Sequence, residues 1–199
     1  MKKLVRNSML VGAVVLGIGS LGTVAQAATT PASPVPSTSS TTTADITPGK
    51  ITLSSAPSFQ FGTVAASAND TSYTSTSTSG SLDIADAGTG TGYTVTVSAS
   101  PFKSKSGAAL TNAQLLLNNK ETHPIKADDV DNVSTPPTLV ANLSLSSSPA
   151  TVVSAAAGSG VGAYTGTYGS TDASLKVPAG NIGGSYSSTL TWTLGNAPA

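Results

Sequence analysis

The sequence predicts an all-β protein with a single sandwich- or barrel-like domain, and three observations carry that prediction. Short runs with apolar residues at every second position recur from Ala44 onward, the side-chain period of a half-buried strand. Clusters of Gly, Pro, Asn and Ser separate these runs at intervals of about ten residues, the spacing of turns in a sandwich or barrel. Charged residues make up only 9% of the chain, which fits neither a coiled coil nor a charged disordered protein. At 199 residues there is room for one ordinary domain and a spare segment, taking roughly 100 to 200 residues per domain.

The spare segment comes first. Lys2, Lys3 and Arg6 precede an apolar run, Met9 to Leu21, which leads to Ala25-Gln26-Ala27. This order of basic, apolar and small residues predicts a secretory signal peptide over 1–27, cut between Ala27 and Ala28. The apolar run falls short of the ~20 residues that span a bilayer, and no second long run follows, so no transmembrane anchor is expected in the mature chain. Loss of residues 1–27 removes three of nine basic residues and none of the nine acidic ones, leaving a net charge of about −3. The remaining lysines, at 50, 103, 105, 120, 126 and 176, are scattered. Nucleic acid is therefore not an expected partner. Charge attraction to an anionic polymer or membrane is a poor basis for attachment. With no cysteine, no disulfide framework exists and a packed core must hold the fold.

Residues 28–43 are almost entirely Ser, Thr and Pro, a composition that cannot offset ordering entropy and that reads as a flexible linker. The β domain is expected over 44–199. Its strands are read, in order, from KITLSS, SFQFGTV, SLDIA, YTVTVS, AQLLLNN, TLVANLSLSS, TVVSAAA, ASLKVPA and SSTLTWTL. In YTVTVS, Tyr93, Val95 and Val97 share one face and Thr94, Thr96 and Ser98 the other. Ala108 to Asn119 is the one helical competitor by propensity, but its short Leu115 to Leu117 cluster before two asparagines favours a strand.

Little in the chain points to catalysis. Gly88 to Gly92 alternates Gly and Thr and leads into a strand rather than a helix, so it lacks the geometry of a phosphate loop and reads as a strand connection. His123, the single histidine, is expected as a surface residue in a turn. It has no G-x-S-x-G partner and no second His or Cys for a zinc site. Asp128, Asp129 and Asp131 miss the calcium-loop spacing and read as a solvated acidic loop. Glu121 is the sole glutamate, which rules out a Glu pair for glycoside hydrolysis; Asp83 and Asp86 remain as an Asp pair, read as outward polar positions. No enzyme activity, cofactor or metal is expected.

The segment Tyr186 to Pro198, YSSTLTWTLGNAP, contains the single tryptophan. As a strand it places Tyr186, Ser188, Leu190, Trp192 and Leu194 on one face and Ser187, Thr189, Thr191 and Thr193 on the other. Pro198 ends the pairing. A face shared by Trp192, Leu190 and Leu194 reads principally as a core face, since burying a Trp is worth about 4 to 6 kcal/mol before entropy costs.

The run Tyr186, Leu190, Thr191, Trp192, Leu194 and Pro198, at these spacings, resembles the C-terminal signature of the WxL-domain surface proteins of low-GC Gram-positive bacteria. KITLSSAPSFQFGTV resembles that family's domain opening, and SLDIADAGTGTGYTVTVSASPF its middle segment. The family's first motif is represented here by Tyr93 and Val95, with Tyr in place of Trp. The resemblance implies a secreted, non-enzymatic protein held noncovalently on the cell wall, through peptidoglycan or another wall polymer, in company with neighbouring surface proteins. The alternative is a protein-interaction module held at the surface by a partner surface protein, through a strand edge or an apolar patch.

Overall fold

The computed structural model describes residues 36–118 and 123–195. The chain divides after Thr43; ahead of that point, residues 36–43 are exposed and carry no regular structure. The signal peptide, the first part of the linker, Asn119 and Pro198 lie outside the described residues.

From Ala44 onward the described residues form fourteen strands and no helix, as the period-two patterning predicts. Three four-stranded antiparallel sheets and one two-stranded ribbon share a core, consistent with a sandwich-like domain. The first sheet has the order β1 (Ile51–Ser55), β5 (Leu82–Asp86), β12 (Gly162–Gly166), β8 (Ile125–Ala127). The second is β10 (Leu143–Leu145), β7 (Gln114–Leu117), β13 (Ala173–Val177), β3 (Thr71–Thr74). The third is β14 (Leu190–Gly195), β6 (Tyr93–Ala99), β11 (Ala150–Ala155), β9 (Thr138–Leu139). The ribbon pairs β2 (Ser58–Gln60) with β4 (Ser77–Ser79).

The strongest alternation in the sequence becomes the centre of the third sheet. In β6 the residues Tyr93, Val95 and Val97 are completely buried while the threonines between them are half-exposed. Leu82 and Ile84 of β5, Tyr164 of β12 and Leu117 of β7 bury their side chains in the same cluster. In β11 the register against β6 shifts between Thr151 and Val153. The extra residue, Val152, lets two consecutive valines be buried, the usual effect of a bulge on side-chain direction. Its carbonyl accepts the Val140 N–H at 2.8 Å.

Residues 108–119 contribute β7, so the strand reading of the Leu115 to Leu117 cluster holds over a helix. TLVANLSLSS, read as one strand, is two. Asn142 adopts a positive φ of 55°, a conformation Asn tolerates better than most residues. The chain turns there from β9 in the third sheet to β10 in the second.

Asp86 corrects the reading of the aspartate pair. It follows Leu82 and Ile84 on the inward face of β5 and is 1% exposed. Its carboxylate accepts the Thr89 N–H at 2.7 Å, the Thr89 hydroxyl at 2.8 Å and the Gly90 N–H at 3.3 Å. The Gly–Thr run is therefore a turn folded around a buried anion, with Gly88, Gly90 and Gly92 all at positive φ. A Cβ on Gly92 would lie 2.6 Å from the Ala155 carbonyl oxygen, so this position demands glycine twice over.

Candidate binding groove

An open groove of about 720 Å³ lies where β14 of the third sheet approaches the second sheet. Leu115 of β7 and Leu175 and Val177 of β13 line it, with Leu190 and Trp192 of β14. The remainder comes from β2 and the residues flanking it (56–57, 61–67 and 69), from Tyr73 of β3, from Phe102 and Leu110 between β6 and β7, and from the long segment between β13 and β14. Six of the nine aromatic residues of the chain border this one space: Phe59, Phe61, Tyr73, Phe102, Tyr186 and Trp192. No charged side chain lines it among the described residues; its polar members are Ser, Thr, Asn, Gln and Tyr.

Hydrogen bonds explain why the irregular segments hold their positions. The Tyr73 hydroxyl donates to the Ala65 carbonyl at 2.8 Å and fixes the 61–67 connection over β3. Asn181 accepts the Thr111 N–H at 2.7 Å and donates its amide to the Thr111 and Pro178 carbonyls. The Tyr186 hydroxyl donates to the Ile182 carbonyl at 2.8 Å, closing the Gly183–Gly184 turn on itself. Ser187 exchanges a pair of 2.9 Å backbone bonds with Lys103, and the Thr189 N–H donates to the Ser100 hydroxyl at 2.8 Å. The two loops approach each other along the groove lining, where a Cβ on Gly183 would lie 3.9 Å from the Ala66 Cβ. Val64 and Ile182 stand out on these loops, 45% and 81% exposed.

Trp192 occupies a middle position between the two roles open to it. It packs against the core but is only partly buried, and it lines the groove. Its ring meets Tyr168 edge-on, centroids 6.4 Å apart, and Tyr168 meets Phe59 the same way at 5.6 Å. This T-shaped train joins the terminal strand to the β2–β4 ribbon. Tyr168 is 7% exposed, and burial, with the Asp172 charge nearby, pushes its phenol well above the usual tyrosine range. Asp172 is fully buried; it accepts the Gly169 N–H at 2.8 Å and the His123 Nδ1 at 2.9 Å. His123 is thus about one-third exposed and anchored to a buried carboxylate, rather than standing on the surface as its Pro-flanked turn implied.

The structure brings Tyr186, Leu190 and Trp192 together in the groove. Leu194 packs on the core opposite Val95, and Trp192 lies opposite Val97. Burial alternates from Tyr186 to Leu194 as the face assignment predicts, although the regular strand begins only at Leu190. Thr191 is exposed on the other face. Tyr93 and Val95 are wholly buried. Tyr93 pairs with Ala155 on the β11 side, away from the groove. The sequence reading did not single out Phe59, Phe61, Tyr73, Phe102 or Tyr168. A usable signal existed in the three phenylalanines, all placed in weak strands or loops: Phe59 and Phe61 two apart in SFQFG, and Phe102 between Pro101 and Lys103.

The family model for the WxL domain, described as surface cell wall-binding, matches residues 19–198. The chain belongs to the WxL domain family. No curated protein and no solved structure shows a significant match. Membership makes this a surface protein associated with the cell wall. In this WxL domain the Trp192 strand is an edge strand of its sheet and one boundary of the aromatic groove. No helix among the described residues is long and apolar enough to cross a membrane.

Proposed function

We propose that this is a secreted, non-enzymatic protein that associates noncovalently with peptidoglycan, and that the groove beside Trp192 makes the contact. The observation that carries this reading is the gathering of six aromatic residues around one uncharged, open groove bounded by the family's terminal strand. A concave, largely apolar site with a few convergent polar groups is the form that binding sites generally take. Among the described residues its lining carries no carboxylate, histidine or lysine, the side chains that most often transfer protons at neutral pH, which supports binding without turnover.

Co-sedimentation with sacculi stripped of protein and anionic polymer tests the proposal. The mature chain is expected to pellet equally at low and high salt, because no charged side chain among the described residues lines the site. Folded protein left in the supernatant at micromolar concentration would overturn it. A second reading has its own support in the position of β14 at the edge of the third sheet, where a partner surface protein could add a strand. Pelleting with untreated walls but not with stripped sacculi would favour that reading.

A further inference from the structure

We propose that the groove takes the neutral sugar backbone of a glycan strand, an N-acetylhexosamine chain, and leaves charged peptide stems and anionic polymers outside. This rests on the wall-binding reading above and assigns the part of the wall that the site recognises.

The lining chemistry carries the assignment. A pyranose ring offers flat C–H faces and a rim of neutral hydroxyl and amide groups. The C–H faces need apolar, planar surfaces, and Phe59, Phe61, Tyr73, Phe102, Tyr186 and Trp192 concentrate such surfaces in one groove. The rim needs neutral hydrogen-bonding groups, and exposed Ser58, Gln60, Thr63, Ser185 and Ser187 lie along the same lining. A carboxylate or phosphate would instead need a cation there. Desolvating an unpaired charge against this lining is strongly unfavourable. Charged residues do stand close by in sequence: Lys103 is bonded through its backbone to Ser187, and Asp70 accepts the Ala179 N–H. Neither lines the groove. Its volume of about 720 Å³ also falls within the ~300–1,000 Å³ common for ligand sites.

Trp192 reports on the site, since it is the only tryptophan and sits on its border. Its fluorescence should change on titration with chitohexaose, a neutral N-acetylglucosamine oligomer. The midpoint should stay within about twofold between low and high salt, since screening acts on charges the site does not use. The free stem peptide should produce no change. Two variants locate the site. Tyr186→Ala removes a ring from the lining, and Gly183→Leu adds a bulky side chain to the lining beside Ala66. Each should raise the midpoint at least about tenfold, or about 1.4 kcal/mol. Gly183 is exposed on a loop at negative φ, so Gly183→Leu keeps the test valid should Tyr186→Ala fail to fold.

Failure of the two readings is distinguishable. Folded protein that pellets with stripped sacculi, yet ignores chitohexaose or keeps full affinity when Gly183 becomes Leu, overturns the glycan assignment and leaves wall binding intact. Competition by the stem peptide also overturns it. Absence of pelleting together with absence of chitohexaose binding overturns both readings.

Discussion

Trp192 shows how one side chain can serve both a core and a surface. Its partial burial means that truncation forfeits ring contacts with Tyr168 and cover over the core edge, but less than a fully enclosed Trp would lose. Trp192→Ala is expected to lower stability by about 2–4 kcal/mol, at the low side of core aromatic truncations. A thermal or urea melt measures this. An unchanged melting point would place the indole on the surface and remove its share in the core. The face carrying Trp192 was legible in the sequence because strand side chains alternate strictly. Its depth was not, since depth depends on β14 lying at the edge of its sheet. His123 and Asp172 illustrate the same gap. Nothing local in a Pro-flanked histidine announces a carboxylate buried far along the chain.

At the level of elements, the turn from Asp86 to Gly92 is held by one carboxylate and three positive-φ glycines. Asp86→Ala would strand two backbone donors and the Thr89 hydroxyl at the edge of the core. A loss of about 2–4 kcal/mol is expected, since hydrogen bonds to a charged group are worth ~1.5–3 kcal/mol each and solvent recovers part of that here. Equilibrium unfolding of the variant checks it, and a change below about 1 kcal/mol would show that the loop holds its shape without the carboxylate. The strands with branched or aromatic alternation, β5, β6 and β14, could be read directly, and β11 from its valine run although a bulge interrupts its alternation. By contrast, β3 (TSYT), β4 (STS), β8 (IKA) and β12 (GAYTG) consist of short or polar stretches whose pairing comes from neighbours. Strand preference is set largely by such context. Ser75 is an example: it is 2% exposed, and its hydroxyl accepts the N–H of Ala173, 98 residues away.

Across the whole molecule, three sheets converge on one core containing Tyr93, Tyr164 and Tyr168. Burial raises the phenols of Tyr93 and Tyr168 well above their ordinary value of 10.0. The folded state therefore keeps two protons that the unfolded chain releases above about pH 10. Their contribution is fully present below that pH and declines as pH rises, with a combined slope of roughly 2.7 kcal/mol per pH unit above it. Unfolding by urea from pH 7 to 12 should show a plateau followed by this decline; a flat profile to pH 12 would contradict the burial of both phenols. The groove belongs to this scale too. Its six aromatics come from four stretches of chain, 59–61, 73, 102 and 186–192. A local period pairs Phe59 with Phe61 and Tyr186 with Trp192, but no local period brings the four stretches together, although the all-β class and the terminal motif could be read in advance.

The order of strands along the chain has a consequence for the protein's synthesis. β14 follows all thirteen other strands, yet it covers one edge of β6 and supplies Leu190 and Trp192 to the groove. A nascent chain that has not yet produced Leu190 leaves a valine- and threonine-rich edge uncovered on β6, an invitation to adhere to other chains. It also has no complete site. A chain stopped before β14 thus carries both an open pairing edge and an incomplete groove, and the pairing of β14 with β6 closes both at once.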